Sequence, residues 1–546
     1  MVDAVEKNTK KTFLSGVFLL TLSTVLVKVI GLIYKIPMLT YLGSEGMGYF
    51  NSAYEIYALF CVISTAGLPV ALSVLISGAL ARGENARIMR IYRAAMAVFV
   101  LIGLLGSAIM WLFARYFCIV IQSENAYLCI LSISPTVFFV CVSSALRGYF
   151  QGYQKMLPTA VSQLIEAVGK LVFGLGLAHY ALSKGYETAI VAAFAGAGLT
   201  LGTAVSALYL ALEKARFQRK RSTAPENTLQ SGGTSSYRSI WKSLARLAVP
   251  MTLGASMVSL TKLIDMTMIL RRLQDIGYSE IAANEAYGSY TTLALSVYGL
   301  LPSLINAVAL PLVPMLSAAI ASGDREKQAD MIRASYHLTA LFAIPAALGV
   351  TAYAHPILSL LFGGEPEAVA VAAPLLSYLG ISVFLSCMIT ATNSVLHAYQ
   401  VVNRPILALV AGALIKIGAA YLLIGNPRFS LAGAPISTFL CNTTVVLLNL
   451  YFAAGLCPVS GLRKIFLPPT LSAVASVGIS YLLYLTVLSR VGATVWLTLA
   501  FVALTVVLYP VFSCLFGAVK REDILMLPGG SVICKFLRKL RLLPKK

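Results

Sequence analysis

The sequence predicts an all-α integral membrane protein with fourteen transmembrane helices. Hydrophobic residues make up 58% of the 546-residue chain and charged residues only 12%, and the mean hydropathy is +0.83. A soluble domain carries about twice that charged fraction. Apolar runs of about 20 residues, the length that crosses a bilayer as an α-helix, recur along the whole chain.

The apolar runs place the helices in chain order. We predict spans near residues 13–39, 49–79, 92–113, 127–150, 158–182, 188–212, 243–270, 287–320, 334–353, 370–398, 405–425, 431–455, 466–488 and 493–516. The first run follows an N-terminus that mixes acids with lysines, and no small-residue cleavage site comes after it. We therefore interpret it as a retained helix and not as a signal peptide.

Positive charges orient the helices, because Lys and Arg are retained on the cytoplasmic side of a membrane. With the N-terminus inside, cytoplasmic segments hold 31 of the 42 lysines and arginines, and outer loops hold six. An even number of spans with both termini in the cytoplasm follows. The net charge of +21 is mostly this orientation signal, with some attraction to anionic membrane lipids, and it requires no nucleic-acid partner.

One long polar segment divides the chain into two halves of six spans each. Residues 213–242 have a basic head and a middle rich in Ser, Gly, Thr and Pro, which is typical of a solvated cytoplasmic linker. We predict an N-lobe at 1–212, a C-lobe at 243–455, and a region at 456–546 that contains the last two spans and a basic cytoplasmic tail.

The two halves look like copies of one six-span unit. Lys28 in LVKVIG corresponds to Lys262 in LTKLID, 234 positions later, and Lys170 corresponds to Lys416 at an offset of 246. Prolines recur at similar offsets. Since six spans separate the mates, both copies enter the membrane in the same sense, and an axis along the membrane normal should relate them.

Ionisable residues inside the spans are the candidate functional groups, because each costs about 2.5 to 3.5 kcal/mol near the bilayer centre. We expect the lysines to face the protein interior or a wet cavity between the halves: Lys28, Lys35, Lys170, Lys262 and Lys416. Three acids accompany them: Glu55, Glu166 and Asp265. The resulting excess of two positive charges suits an anionic ligand. Lys28 and Lys416 have no opposite charge within one turn, which makes them the stronger candidates for binding it.

Spacing leaves open whether the other charges are functional or structural. Glu166 and Lys170 are four residues apart, and Lys262 and Asp265 are three apart, so each pair could neutralise itself along one helix face. Alternatively, the acids bind a coupling ion, Na⁺ or H⁺. Lys35 lies near the outer end of its span and could extend to the lipid headgroups.

Prolines and glycines are predicted to interrupt spans one, two, eight and nine, as the bending of helices around a central site requires. These residues are Gly31, Pro37, Gly67, Pro69, Pro302, Pro311, Pro314 and Pro345. The alternative is that proline is simply frequent in transmembrane helices.

No motif indicates an enzyme, a metal site or a cofactor. The four histidines are isolated in sequence, and the nine cysteines lie mostly in apolar runs without CxxC or metal-ligand spacing. GxGxxG and GxxxxGK[ST] are absent. We predict a non-enzymatic protein without catalytic residues, in which any energy coupling uses an ion gradient, the membrane potential or a substrate gradient.

Three stretches resemble a known family. KVIGLIYKIPMLTYLGSEGMGYFNSAYEIYALFCVISTAGLPVALSVLIS, residues 28–77, is similar to the first two spans of the stage V sporulation protein B and polysaccharide-transport branch of the MOP (multidrug/oligosaccharidyl-lipid/polysaccharide) exporter superfamily. RGYFQGYQKMLPTAVSQLIEAVGK, residues 147–170, resembles its fourth-to-fifth span junction, and SVLHAYQVVNRP, residues 394–405, resembles the second-half copy. The resemblance implies a bacterial plasma-membrane protein with two six-helix lobes in a V-shaped arrangement and two extra C-terminal helices.

The same resemblance implies a substrate class. Members of this family transport undecaprenyl-diphosphate-linked sugars, which is lipid II in the related MurJ flippases. MurJ-type sequences usually carry arginine in the first span, where Lys28 and Lys35 stand here. We therefore expect a flippase for a polyprenyl-diphosphate-linked glycan precursor, lipid II for peptidoglycan synthesis. Two alternatives stay open: a multidrug/cation antiporter in which Glu55, Glu166 or Asp265 binds the cation, and a non-transporting sporulation or envelope-assembly protein.

Overall fold

The computed structural model describes residues 2–222, 237–309, 312–401, 403–459, 461–491 and 494–519. Within these ranges the chain is helical and contains no β-strand, which confirms the all-α fold class. A helix pairs its backbone groups internally, as an apolar solvent demands. The α-helices are α1 Val2–Thr65, α2 Leu68–Ala81, α3 Asn85–Leu112, α4 Ala114–Ile121, α5 Tyr127–Ile133, α6 Thr136–Gly152, α7 Leu157–Ser183, α8 Thr188–Ser222, α9 Tyr237–Asp275, α10 Glu280–Ser289, α11 Leu295–Ala309, α12 Leu312–Ala321, α13 Arg325–Ala352, α14 Ala354–Phe362, α15 Pro366–Ala398, α16 Asn403–Ile424, α17 Gly433–Ala454, α18 Leu462–Val491 and α19 Val495–Leu515. A π-helical segment, Tyr290–Ala294, joins α10 to α11.

Twelve helical stretches in the described residues are long and apolar enough to cross a membrane. The first of them, Leu22–Ala81, has 60 residues, and a straight helix of that length would measure about 90 Å. The ring centroids of Tyr34 and Phe50 nevertheless lie 6.5 Å apart, whereas sixteen helical residues would separate them by about 24 Å. The chain therefore turns back at Gly43, where φ is 64° and ψ is 178°. Residues of α1 before Gly43 form its first arm and those after it the second arm, in agreement with the first two predicted spans. The total of fourteen spans stays a prediction.

The second arm ends where the sequence predicts an interruption. α1 stops at Thr65 and α2 starts at Leu68, and a Cβ atom at the intervening Gly67 would collide with the carbonyl of Ala248 on α9. By contrast, α1 continues through Pro37 and α13 through Pro345, so the interruptions predicted at those prolines are wrong. Pro311 lies outside the described residues.

Packing divides the chain into two compact units, Met1–Thr292 and Leu293–Lys546. In the first unit, α1 packs on α7, α9 and α10, α7 lies along α8, and α6 packs on α2 and α3. In the second unit, α15 packs on α13 and α17, α16 lies along α17, and α18 packs on α13 and α19. By its contacts α9, the first helix after the predicted linker, belongs to the first unit.

The predicted domain boundaries and the V-shaped arrangement stay predictions. Much of the linker, 223–236, and the basic tail, 520–546, lie outside the described residues.

A matching corner occurs in both halves. Gln154 follows α6 with φ of 57°, and Gln400 follows α15 with φ of 60°. At both places the amide of the next residue donates to the carbonyl five positions earlier, at 2.9 and 3.0 Å, which satisfies a carbonyl at the end of the helix. Because non-glycine residues adopt this conformation rarely, its recurrence supports the predicted duplication.

Candidate functional site: charges within the membrane-spanning helices

The structure places seven of the eight predicted site residues in the first unit. They belong to α1 (Lys28, Lys35 and Glu55), α7 (Glu166 and Lys170) and α9 (Lys262 and Asp265). Since both α7 and α9 pack on α1, these charges are gathered around one helix pair. Lys416 belongs to α16 in the second unit.

The C-terminal end of α9 is fastened to the first unit by hydrogen bonds to the end of α4. The Arg271 guanidinium donates to the carbonyl of Val120 at 2.5 Å, and the Gln274 amide donates to the carbonyl of Gln122 at 2.8 Å. These carbonyls at the end of α4 lack partners within their own helix. The contact holds the end of α9 against α4, within the first unit.

Lys28 and Lys262, the predicted repeat mates, lie within electrostatic range of each other. Both side chains are exposed on the surface of the structure. Like charges repel, and each ammonium is costly at membrane depth. The pair is therefore an accessible concentration of positive charge, and its binding of an anion stays a prediction.

Lys35 has a hydrogen-bond partner inside the protein. Its ammonium donates to the carbonyl of Thr291 at 3.3 Å, in the π-helical segment. Asn51, on the second arm of α1, donates to the hydroxyls of Thr291 and Thr292 at 2.8 and 2.9 Å. A π turn departs from the regular helical ladder, so its groups are available to side chains. The Lys35 side chain is thus directed into the first unit, and the alternative that it extends only to the lipid headgroups is wrong.

Glu55 is the acid at the centre of the cluster. Its carboxylate lies within electrostatic range of Lys262, Lys35 and Asp265. One carboxylate oxygen, Oε2, is buried and accepts no hydrogen bond within the part of the chain that the structure describes. The role of Glu55 in ion coupling stays a prediction.

Glu166 forms its ion pair with Arg147, and not with Lys170 as the spacing suggested. Arg147 on α6 lies 2.7 Å from the Glu166 carboxylate and also donates to the hydroxyls of Ser162 at 2.9 Å and Ser206 at 3.4 Å. Its partner is set by the packing of α6 against α7, which no spacing within one helix reveals.

Lys170 points its ammonium at aromatic rings. The Nζ atom lies 5.1 Å from the ring centroid of Tyr34, 5.7 Å from that of Phe50 and 4.9 Å from that of Tyr54. Each distance is within the range of a cation–π interaction. Glu166 remains within electrostatic range of Lys170, but the rings are the groups that surround it.

Lys416 occupies a separate polar cluster in the core of the second unit. Its side chain is 8% exposed and lies within electrostatic range of Tyr298, whose hydroxyl accepts a hydrogen bond from Asn442 at 3.1 Å. The five acids between residues 293 and 519 lie at or near the starts of α13 and α15: Asp324, Glu326, Asp330, Glu365 and Glu367. Lys416 therefore belongs to a different unit from the three candidate acids Glu55, Glu166 and Asp265.

Residue types that bind metals are dispersed in the folded chain. Among the described residues, no three His, Cys, Asp or Glu side chains come together as a metal site would require. Of the eight described cysteines, seven are buried and all are free; Cys534 lies outside the described residues. The site residues described above act through their charges.

These features define a class of protein. Apolar helices long enough to span a bilayer carry ionisable side chains that face one another, which is the usual arrangement of proteins that move charged substrates through a membrane.

The model of the family "Polysaccharide biosynthesis protein" matches residues 13–320, and the MatE family model matches residues 250–422. Lipid II flippase MurJ of Bacillus subtilis (strain 168) is 25% identical over 74% of this chain and 76% of its own length. Stage V sporulation protein B of the same organism is 24% identical over 83% of this chain and 85% of its own length. The solved structure "Lipid II flippase MurJ, inward closed conformation" has a TM-score of 0.68 at 15% identity and covers 91% of this chain and 98% of that one.

Since the first model matches more than half of the residues, the chain belongs to the polysaccharide biosynthesis protein family. It is a MOP-superfamily protein similar to MurJ and to stage V sporulation protein B. It is accordingly a multi-pass protein of the bacterial plasma membrane.

Proposed function

We propose that this protein is a flippase that moves a polyprenyl-diphosphate-linked glycan precursor, lipid II for peptidoglycan synthesis, across the cytoplasmic membrane by alternating access. Both termini lie in the cytoplasm in this proposal. The observation that carries it is the exposed pair Lys28 and Lys262, on two helices of the first unit and within electrostatic range of each other. A diphosphate placed against both ammonium groups would offset their mutual repulsion.

The balance of the site charges described above, leaving aside the other charged residues of the first unit, supports an anionic substrate. Arg147 joins the four lysines Lys28, Lys35, Lys170 and Lys262, against the three acids Glu55, Glu166 and Asp265. The excess of two positive charges persists although Lys416 belongs to the other unit. Two positive charges match the roughly two negative charges of a diphosphate diester at neutral pH. The flippase name of a relative that aligns over most of both chains supports the same substrate class.

Two acids are the candidates for ion coupling in this proposal. Glu55 lies within electrostatic range of Asp265 and of Lys262, and Asp265 follows Lys262 by three residues on α9, so protonation or Na⁺ binding at either acid would change the field at the substrate lysines. Glu166 is held by Arg147 and is a structural partner in this scheme.

A multidrug/cation antiporter is the second candidate, because the MatE family model matches residues 250–422. Such a protein would bind a cation at Glu55 or Asp265. The cationic surroundings of those acids favour the flippase.

The test is leaflet-resolved labelling of lipid II in cells depleted of this protein. The flippase proposal expects precursor to accumulate in the inner leaflet and to return to the outer leaflet when the wild-type gene is restored. Normal flipping with lost resistance to organic cations would support the antiporter. Normal flipping with failed assembly of envelope or spore structures would support a scaffold, and either outcome contradicts the flippase.

A further inference from the structure

The ammonium of Lys170 lies in a cage of three aromatic rings. Tyr34 is 1% exposed and Phe50 2% exposed, and Tyr54 completes the set. The three ring centroids lie 4.9 to 5.7 Å from Nζ. Aromatic cages of this kind bind organic ammonium ions, because the negative faces of the rings attract the charge without a carboxylate.

The cage is assembled from both arms of the α1 hairpin. Tyr34 precedes the turn at Gly43, whereas Phe50 and Tyr54 follow it. A single ammonium from α7 therefore contacts both sides of the hairpin. Lys35, which follows Tyr34 directly, is one of the candidate substrate lysines, so the position of this ring and the position of that lysine are linked.

The helix that carries Lys170 packs closely against its neighbour, α8. A Cβ atom at Gly169 would lie 2.7 Å from the Cα of Gly202, and a Cβ atom at Gly198 would collide with Gly174 on α7. These close approaches fix α7 against α8 on both sides of Lys170. Gly174 also makes room for the Tyr34 ring, since a Cβ there would lie 2.9 Å from the Tyr34 hydroxyl.

We propose that Lys170 is a positioning residue whose ammonium serves as the internal ligand of this cage. It ties α7 to both arms of the hairpin and thereby sets the place of Lys28 and Lys35 on the first arm. Lys170 does not contact substrate in this assignment, unlike its role in the sequence interpretation. The consequence for transport rests on the proposed function, whereas the cage itself does not.

Hydrogen–deuterium exchange of the full chain in lipid nanodiscs, without substrate, tests the cage directly. Lys170→Met keeps most of the length of the unbranched side chain and removes the charge. It should raise the exchange rate of amides in the second arm about tenfold or more, given the strength of buried cation–π contacts. Lys170→Arg should keep most of the protection. Tyr34→Phe is the matched control, because it keeps the ring and removes a hydroxyl that has no hydrogen-bond partner in the described residues.

Chemical rescue separates an ammonium site from a merely structural lysine. In Lys170→Ala, n-propylammonium should restore protection of the second arm, and neutral 1-propanol of the same size should not. Equal rescue by both compounds, or unchanged exchange in Lys170→Met, would overturn the cage assignment.

The link to transport has its own readout. Lys170→Met should lower flipping at normal protein abundance, and Lys170→Arg should restore it. If exchange rises in Lys170→Met while flipping is unchanged, the cage stands and its positioning role is overturned. If the wild-type protein moves no lipid-linked precursor, the proposed function fails. The exchange experiment still tests whether the Lys170 ammonium stabilises the cage.

Discussion

The ion pair between Arg147 and Glu166 should stabilise the first unit and play no part in ion coupling. The Arg147 side chain is 15% exposed and the Glu166 side chain 27%, and their atoms lie 2.7 Å apart. A hydrogen bond between charged groups contributes about 1.5 to 3 kcal/mol, and leaving a fully buried charge without its partner costs about 3 to 5 kcal/mol. For this partly buried pair we expect Arg147→Met to lower the free energy of unfolding by about 2 kcal/mol. Glu166→Gln should cost less, because its amide oxygen can still accept from the guanidinium.

The assay is equilibrium unfolding of the purified protein in mixed micelles, run as a double-mutant cycle. The two replacements act on one shared interaction, so their effects should fall short of additivity by about 0.5 to 3 kcal/mol. Asp330→Asn is the control, since it breaks a more exposed pair with Arg333 at 2.9 Å and should cost less than about 1 kcal/mol. Strict additivity, or loss of gradient-dependent transport in a stably folded Glu166→Gln protein, would refute this reasoning.

The remaining predictions concern α9, the turn before α2 and the topology. If Asp265 only neutralises Lys262, the double variant Asp265→Asn with Lys262→Gln should transport better than Lys262→Gln alone. If Asp265 carries the coupling ion, Asp265→Asn should abolish gradient dependence by itself. Equal activity of all variants contradicts both roles. Gly67→Ala should lower the thermal stability measurably, because its Cβ would collide with a carbonyl of α9. In Gly254→Ala the new Cβ would have no atom within 4 Å, so this control should be neutral or stabilising. An equal change of melting temperature in both variants would contradict the packing at Gly67. Reporters at Ser231 and in the C-terminal tail, both outside the described residues, should map to the cytoplasm. Reporters found on opposite sides of the membrane would contradict an even number of spans.

Apolar length and charge were enough to predict the class of fold and the first hairpin. The runs 13–39 and 49–79 are separated by a short polar stretch with several glycines, and Gly43 supplies the positive φ at which the two arms meet. Repeat offsets also identified Lys28 and Lys262 as related positions, and the structure brings this pair into electrostatic range.

Partners between helices could not be predicted from spacing. The interval from Glu166 to Lys170 reports only that both side chains share a face of α7. The partner of each charge depends on how α6 and α1 pack against that face. This packing places Glu166 beside Arg147 and Lys170 among aromatic rings. The contacts of α9 with α1 and α2 were also not predicted, because the sequence on either side of a long linker carries no signal for packing across it.

The most direct test of the account is flipping of lipid-linked precursor by charge variants of Lys28 and Lys262 in a depleted strain, measured by leaflet-resolved labelling and normalised to membrane abundance. Removing one charge with Gln should weaken substrate binding by about 1.5 to 3 kcal/mol, the contribution of one charged hydrogen bond. Glu at either position should stop flipping although the protein still inserts, and Arg should retain much of the activity because it keeps the positive charge. Full complementation by both Glu variants at normal abundance would contradict the claim that these two lysines hold an anionic substrate.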